Sequence, residues 1–212
     1  MRQTWSGLSE TLNQIKEYYL DDFPLGKRLY EQAGELPDNI LVRFSEERFI
    51  RSMYEQGEIR IAPAQYYEND APEAAMRDKE TCREYAVKAL AEVLDGDVDV
   101  NIFGKTVPIK NGFIEVVCPI DNYYMFCTCN YFSRRMPMDF KADAALVITN
   151  KAEFFNRIRK AAADMLPSHT FHERDVTYYD PCNSFPVNED QEFLKHFSYI
   201  YQNEHRCIWR DS

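Results

Sequence analysis

The segment Tyr123–Tyr131 constrains the fold most strongly, because aromatic and cysteine side chains alternate along it as they do in a strand. Two shorter strand patterns, Val98–Phe103 and Thr106–Ile109, flank Gly104-Lys105, which suits the tight turn of a hairpin. Ala144–Ile148 indicates a further, buried strand. Strands therefore dominate the middle of the chain, and helical patterns flank both ends. We predict an α+β fold with a mixed, mostly antiparallel β core and flanking helices.

Residues 1–36 form a separate helical pattern, in which Leu8, Leu12 and Ile15 follow helical spacing. Pro37 lies in the linker or turn that follows. A chain of 212 residues suits one large domain or two small ones. We predict an N-terminal helical arm over residues 1–36 and one α+β domain over residues 40–212.

The opening of the larger domain, residues 40–62, predicts a strand, a helix and a second strand. Ser45 is the expected helix cap, and Gly57 is expected to end the helix. The charged segment Glu73–Leu94 predicts a helix, with Arg77-Asp78-Lys79-Glu80 on a solvated face.

The second half of the domain predicts two helices. Lys151–Met165 is the first, and Asp190–Tyr201 is the second, with Phe193, Phe197 and Ile200 at helical spacing. The alternation over His205–Trp209 predicts the strand that closes the chain.

Composition and sequence patterns argue against several classes of function. The net charge of −10 disfavours broad, non-specific nucleic-acid binding, which depends on neutralising phosphates. No signal peptide is predicted, and no run approaches the ~18 apolar residues that a membrane-spanning helix needs, so we expect no membrane partner. The six cysteines are scattered, which favours a reducing cytoplasm. Rossmann and P-loop glycine motifs are absent from the sequence.

Two positions combine a charge with a strand. Gln202-Asn203-Glu204 lies where the last predicted helix meets the last strand, and a carboxylate there is expected to be well held and still reachable by solvent. A solvated polar turn is the alternative interpretation. Arg43 is the one charged residue in the apolar run Ile40–Phe44, which indicates either a ligand for its guanidinium or an edge strand facing water.

A third candidate is Thr128, which faces away from Cys127 and Cys129 on the predicted strand and offers a hydroxyl to a carboxylate. The pair His169 and His172 matches no common zinc spacing with these cysteines. We therefore predict no metal site.

Arg43, Cys127-Thr128-Cys129 and Gln202-Asn203-Glu204 occur in the order of three elements of single-domain ADP-ribosyltransferases of the bacterial toxin type, which the chain resembles. That family carries an Arg or His in the first core strand, a small hydroxyl motif in a middle strand, and a Glu at the start of a late strand. The middle motif departs from the family in having Cys where Ser is usual. The resemblance implies a split-sheet core and NAD as substrate.

The resemblance also implies a role for each residue. Arg43 would bind the NAD diphosphate, and Tyr66 or Tyr67 would stack on the cationic nicotinamide ring. Thr128 would orient Glu204, and Glu204 would stabilise the cation that forms as nicotinamide leaves. The remaining residue of the motif, Gln202, would orient the acceptor.

The acceptor would be a macromolecule, either a protein or a nucleic acid, and a toxin of this kind would have a neutralising antitoxin protein as a partner. The segments Arg77–Glu80 and Lys195–Arg206 also resemble patterns in uncharacterised bacterial and prophage proteins, some of them associated with phage defence. Toxin and phage-defence effector are thus the expected contexts. The alternative is a non-catalytic interaction or sensor module of a defence or toxin–antitoxin system.

Overall fold

The computed structural model describes residues 36–37, 39–69, 78–88, 98–102, 105–109, 113–182 and 189–211. These residues form a mixed helix and strand structure with mostly antiparallel pairing, which confirms the predicted α+β class. The predicted N-terminal arm over residues 1–36 lies outside the described residues, apart from Leu36. No helix within the described ranges is long and apolar enough to cross a membrane.

The strands and helices follow the chain in a mixed order. The strands are β1 (Leu41–Ser45), β2 (Ala62–Pro63), β3 (Cys82–Lys88), β4 (Val98–Ile102), β5 (Lys105–Ile109), β6 (Phe113–Pro119), β7 (Tyr124–Cys129), β8 (Ala144–Ile148), β9 (His169–Asp175), β10 (Thr177–Tyr179), β11 (Leu194–His196) and β12 (Glu204–Asp211). The helices are α1 (Glu47–Gln56), α2 (Ala64–Asn69), α3 (Met136–Asp139) and α4 (Lys151–Met165), with short 3-10 helices at Gln191–Phe193 and Phe197–Gln202.

The chain divides into two compact units, and each unit is assembled from separate stretches of sequence. The first unit comprises residues 1–60, 73–76 and 127–167, and the second comprises residues 61–72, 77–126 and 168–212. The described residues of the predicted 40–212 domain therefore contribute to both units.

In the first unit, β1 pairs antiparallel with β8 along its whole length, and Val42 pairs with Cys129 at the end of β7. Val42 and Phe44 are buried against Met136 and Ala142. Helix α1 ends at Gly57, whose φ of 73° is the left-handed conformation in which glycine carries no side-chain penalty. The C-cap prediction is confirmed.

The N-terminal cap of α1 differs from the prediction. Glu46 occupies the cap position without a side-chain hydrogen bond, and Ser45 is the last residue of β1. At α4, by contrast, the Asn150 side chain accepts a hydrogen bond from the Glu153 N–H, as a good N-cap does.

In the second unit, β12 and β9 form an antiparallel pair, and β3 and β6 form another. The predicted hairpin is present as the antiparallel pair β4–β5, but Lys105, which was predicted in the turn, begins β5 opposite Ile102. Strand β2 pairs with the start of β7, and the short strands β10 and β11 run parallel.

Two helix predictions are wrong where they fall on the second unit. Residues 82–88, inside the predicted helix Glu73–Leu94, form strand β3, because Arg83 and Tyr85 alternate into the interior while β3 pairs with β6. The predicted helix Asp190–Tyr201 is instead a 3-10 turn, strand β11 and a second 3-10 turn. Parallel pairing of β11 with β10 overrides the helical spacing. Phe197 and Ile200, which lie in the second 3-10 helix, are 49% and 63% exposed, whereas Phe193 is buried.

Candidate functional site

The turn that leads into β12 places Gln202 and Glu204 side by side. The 3-10 helix ends at Gln202, and Asn203 takes a left-handed conformation with φ 41°, which asparagine tolerates better than most residues. Strand β12 begins directly afterwards at Glu204. Both flanking side chains are buried, and Glu204 is only 5% exposed. The expectation that this carboxylate is reachable by solvent is therefore wrong for the described conformation.

Two cations hold the Glu204 carboxylate. The Lys195 ammonium donates to Glu204 Oε2 over 2.6 Å and to Gln202 Oε1 over 3.0 Å. The Arg206 guanidinium donates from Nε to Glu204 Oε1 over 2.6 Å. The backbone is held as well, since the Glu204 N–H donates to the Tyr178 hydroxyl over 2.8 Å. Glu204 is thus fixed at both carboxylate oxygens and at its own amide.

A second carboxylate, Glu80, extends the network from the other side of Arg206. The Arg206 Nη1 and Nη2 atoms donate to the two Glu80 oxygens over 2.8 and 2.7 Å, in a bidentate pair. Arg83 Nη2 and the Tyr123 hydroxyl each donate to Glu80 Oε2 over 2.9 Å. We call Glu80, Arg83, Lys195, Glu204 and Arg206 the buried charge cluster; all five side chains are buried within the second unit.

The cluster keeps its carboxylates ionised. Burial alone raises the pKa of Glu204, but the charges of Arg206 and Lys195 outweigh burial and hold that pKa well below its usual range. Burial is likewise outweighed at Glu80, where Arg206 and Arg83 lower the pKa to about 2. On the cationic side, Glu204 outweighs burial and raises the pKa of Lys195. Three cations therefore face two anions at neutral pH.

Asp78 lies next to this network and is less completely bonded. Its Oδ1 accepts from the Lys79 N–H over 3.0 Å. Asp78 Oδ2 and Arg83 Nε are buried atoms without a hydrogen-bond partner among the described residues. Burial first, and the charge of Glu80 second, raise the pKa of Asp78. An acceptor and a donor thus remain open at the edge of the buried charge cluster.

The other predicted site residues are placed as follows. Arg43 lies in β1 of the first unit, where its Nη1 donates to the Cys127 carbonyl over 2.7 Å, and Thr128 is buried in β7 of the same unit. Tyr66 and Tyr67 belong to the second unit and lie in α2, and their rings meet edge to face at 5.4 Å. Gln202 and Glu204 are the predicted residues that a shared contact, Lys195, brings together.

The sequence patterns do not predict the roles of four cluster residues, which are Glu80, Arg83, Lys195 and Arg206. The charged neighbours of Glu80 predict a solvated helix face, whereas the structure buries Glu80. One signal is present in the sequence: Glu204 and Arg206 share a face of the last strand with Ile208, and two charges on one buried face require partners. The sequence did not indicate which distant residues supply them.

His205 lies in a separate polar contact on β12. Its ring nitrogens Nδ1 and Nε2 lie 2.7 Å from Asp175 Oδ1 and 2.9 Å from Glu173 Oε2, both on β9. These contacts tie the two strands together across the sheet. Among the residues that the structure describes, no group of three or more histidine, cysteine or acidic side chains is arranged to hold a metal ion.

Glu204 is the candidate catalytic group of this arrangement, because its carboxylate is ionised and rigidly held. Each carboxylate oxygen has two acceptor positions, and one donor from Lys195 or Arg206 uses one position on each oxygen. The carboxylate therefore retains the capacity to accept from a ligand hydroxyl. No protein-family model, curated protein or solved structure matches the chain.

Proposed function

We propose that the protein transfers ADP-ribose from NAD to a macromolecular acceptor. One observation supports the proposal above all: Gln202 and Glu204 converge on a single ammonium at the entrance to β12, with Glu204 held as the anion. A Gln-x-Glu turn of this kind requires the two side chains to lie together, and catalysis at a ribose requires the carboxylate to be charged.

In the proposed reaction, the bond between nicotinamide and ribose breaks and nicotinamide leaves with the bonding electron pair. Glu204 accepts a hydrogen bond from a ribose hydroxyl and stabilises the positive charge that develops on the sugar. A nucleophile of the acceptor, oriented by Gln202, then forms the new bond to the sugar and releases its proton to solvent. Thr128 supports Glu204 in this scheme.

Arg43 binds the NAD diphosphate, and Tyr66 or Tyr67 stacks on the nicotinamide ring in the same scheme. The acceptor is a protein or a nucleic acid, and the context is a cytoplasmic toxin or phage-defence effector with a neutralising protein partner. The split-sheet core of the ADP-ribosyltransferases belongs to the same proposal. Because Glu204 is buried in the described conformation, binding of NAD has to uncover it.

A second candidate function is a non-catalytic interaction or sensor module of a defence or toxin–antitoxin system. The observation that favours it is the full charge compensation of Glu204, whose two oxygens already contact Lys195 and Arg206 in the interior. A buried ion network of this kind also occurs where charges fix a structure and carry no chemistry.

Transfer from labelled NAD into a cell lysate, with nicotinamide release measured in parallel, tests the two functions against each other. We would compare the wild type with Glu204→Gln and with the exposed control Glu47→Gln. The expected result is labelling by the wild type and by Glu47→Gln, and none by Glu204→Gln that circular dichroism shows to be folded. Digestion of the product with protease or nuclease then identifies the acceptor class. Neither label nor nicotinamide release from folded wild type would support the interaction module.

A further inference from the structure

We propose that Lys195 is the positioning residue of the site: its ammonium fixes the Glu204 carboxylate and the Gln202 amide in one arrangement. This inference rests on the proposed function, because it assigns to Lys195 the geometry that the transfer reaction needs. Lys195 itself touches no substrate in this scheme and acts through the two side chains that it holds.

The Lys195 ammonium is held from several directions. It donates to Glu204 and Gln202, and it lies 4.8 Å from the centroid of the Tyr199 ring, within the range of a cation–π contact. Two of the three N–H donors of the ammonium are used by Glu204 and Gln202, and the Tyr199 ring attracts the positive charge from a further direction. The side chain is also buried, which excludes exchange with water-bonded rotamers.

The backbone that carries Lys195 also fixes its position relative to Glu204. In the parallel pair β10–β11, Lys195 is the register partner of Tyr178. The Tyr178 hydroxyl accepts from the Glu204 N–H, and the Lys195 ammonium donates to the Glu204 carboxylate. The register pair Tyr178 and Lys195 therefore bonds Glu204 at both its backbone and its side chain. A lysine on a mobile surface loop would not hold the carboxylate in one fixed position.

The charge of Lys195 also keeps the Glu204 carboxylate ionised. Glu204 is buried, and burial favours the protonated acid. Arg206 divides its guanidinium between Glu204 and Glu80, whereas the ammonium of Lys195 lies against Glu204. Removal of Lys195 therefore leaves Glu204 with a shared cation and moves its titration to higher pH.

The experiment compares Lys195→Met, Lys195→Arg and the exposed control Lys160→Met with the wild type. The first readout is the carbon-13 signal of the Glu204 carboxyl as a function of pH, assigned by its loss in Glu204→Gln. We expect Glu204 to stay ionised in the wild type down to the lowest pH at which the protein is folded. In Lys195→Met the Glu204 carboxyl should titrate at higher pH than in the wild type. In Lys195→Arg and Lys160→Met it should titrate as in the wild type.

The second readout is transfer kinetics. Lys195→Met should lower kcat by about 100-fold with little change in KM for NAD, since misplacing a reacting group costs on that order. Lys195→Arg keeps the charge but changes the donor geometry, so we expect a smaller loss, about tenfold. A merely structural lysine would change stability and leave kcat and its pH profile unchanged in the folded fraction.

The two readouts separate the two proposals. Absence of transfer by wild type refutes the proposed function, while the titration still tests whether Lys195 controls Glu204. A Glu204 titration in Lys195→Met identical to that of the wild type overturns the inference, as does an unchanged kcat. If Lys195→Met does not fold, folded Lys195→Arg decides, because a wild-type kcat in that variant contradicts a role in geometry.

Discussion

Two regions of the molecule use the same ion-pair chemistry in opposite surroundings. On α1 in the first unit, Arg51 lies 2.6 Å from Glu47, and both side chains are more than 60% exposed. In the second unit, Arg206 lies 2.7 Å from Glu80, and the two side chains are 0% and 2% exposed. The distances are nearly equal, so distance does not distinguish the pairs. Burial decides how much each pair matters when one partner is lost.

The physical reason is the cost of leaving a charge alone. An exposed charge that loses its partner is taken up by water, so a surface pair contributes little. A buried charge that loses its partner stays in the interior without compensation. The comparison therefore predicts that similar substitutions have large effects in the buried charge cluster and small ones on α1.

The largest effect is expected for Glu80→Gln. The change keeps the shape of the side chain but leaves the guanidinium groups of Arg206 and Arg83 facing a neutral amide. Breaking a buried pair from one side costs on the order of 3–5 kcal/mol of unfolding free energy. Urea denaturation at neutral pH measures this, with Glu47→Gln on α1 as the matched control. Equal unfolding free energies in the two variants would refute the importance of burial.

Acid is expected to act on the same carboxylates. The folded state lowers the pKa of Glu80 from 4.5 to about 2, so its contribution to stability is complete above pH 4.5 and is lost as pH falls towards 2. The loss from Glu80 alone is about 3 kcal/mol, and Glu204, whose pKa is shifted the same way, adds to it. Urea denaturation over a pH series measures how the free energy of unfolding changes with pH. Glu80→Gln should show a shallower slope, and an identical slope would contradict the assignment.

A smaller effect is expected for Tyr178→Phe. The hydroxyl of Tyr178 accepts from the Glu204 N–H, and its removal leaves a buried backbone donor without that acceptor. An unsatisfied buried group costs about 1–3 kcal/mol. Tyr54→Phe on the exposed part of α1 is the matched control, and thermal or urea unfolding compares the two. A loss in Tyr54→Phe as large as that in Tyr178→Phe would argue against the contact.

The same contrast explains what the sequence could predict. The bounds of β8 and α4 agree with the predicted Ala144–Ile148 and Lys151–Met165, because apolar spacing and local capping determine them. The sequence also predicts the position of the Gln202-Asn203-Glu204 turn, because a helical pattern and a strand pattern meet there. These features depend on neighbours within a few residues along the chain.

The buried charge cluster could not be predicted in the same way. Arg206 and Glu80 are 126 residues apart, and nothing local indicates that they meet. Lys195 follows a helical pattern, and the parallel pairing of β11 with β10, which is a tertiary contact, places it instead on a strand. The sequence predicts a solvated Glu80 because a pattern of residues shows its charge but not its burial. Long-range pairing therefore determines the part of the site that holds Glu204.

The smallest effect is expected for Arg51→Gln on α1. Arg51 bridges Glu47 and Glu55, each one helical turn away, over 2.6 and 3.1 Å. Such i,i+4 pairs are screened by water and salt, so the substitution should leave the midpoint of urea unfolding unchanged within error. Raising the salt concentration should likewise shift the midpoint of urea unfolding by the same amount in the wild type and in Arg51→Gln. A destabilisation comparable to that of Glu80→Gln would show that the exposed pairs carry as much stability as the buried ones, and the comparison between the two regions would fail.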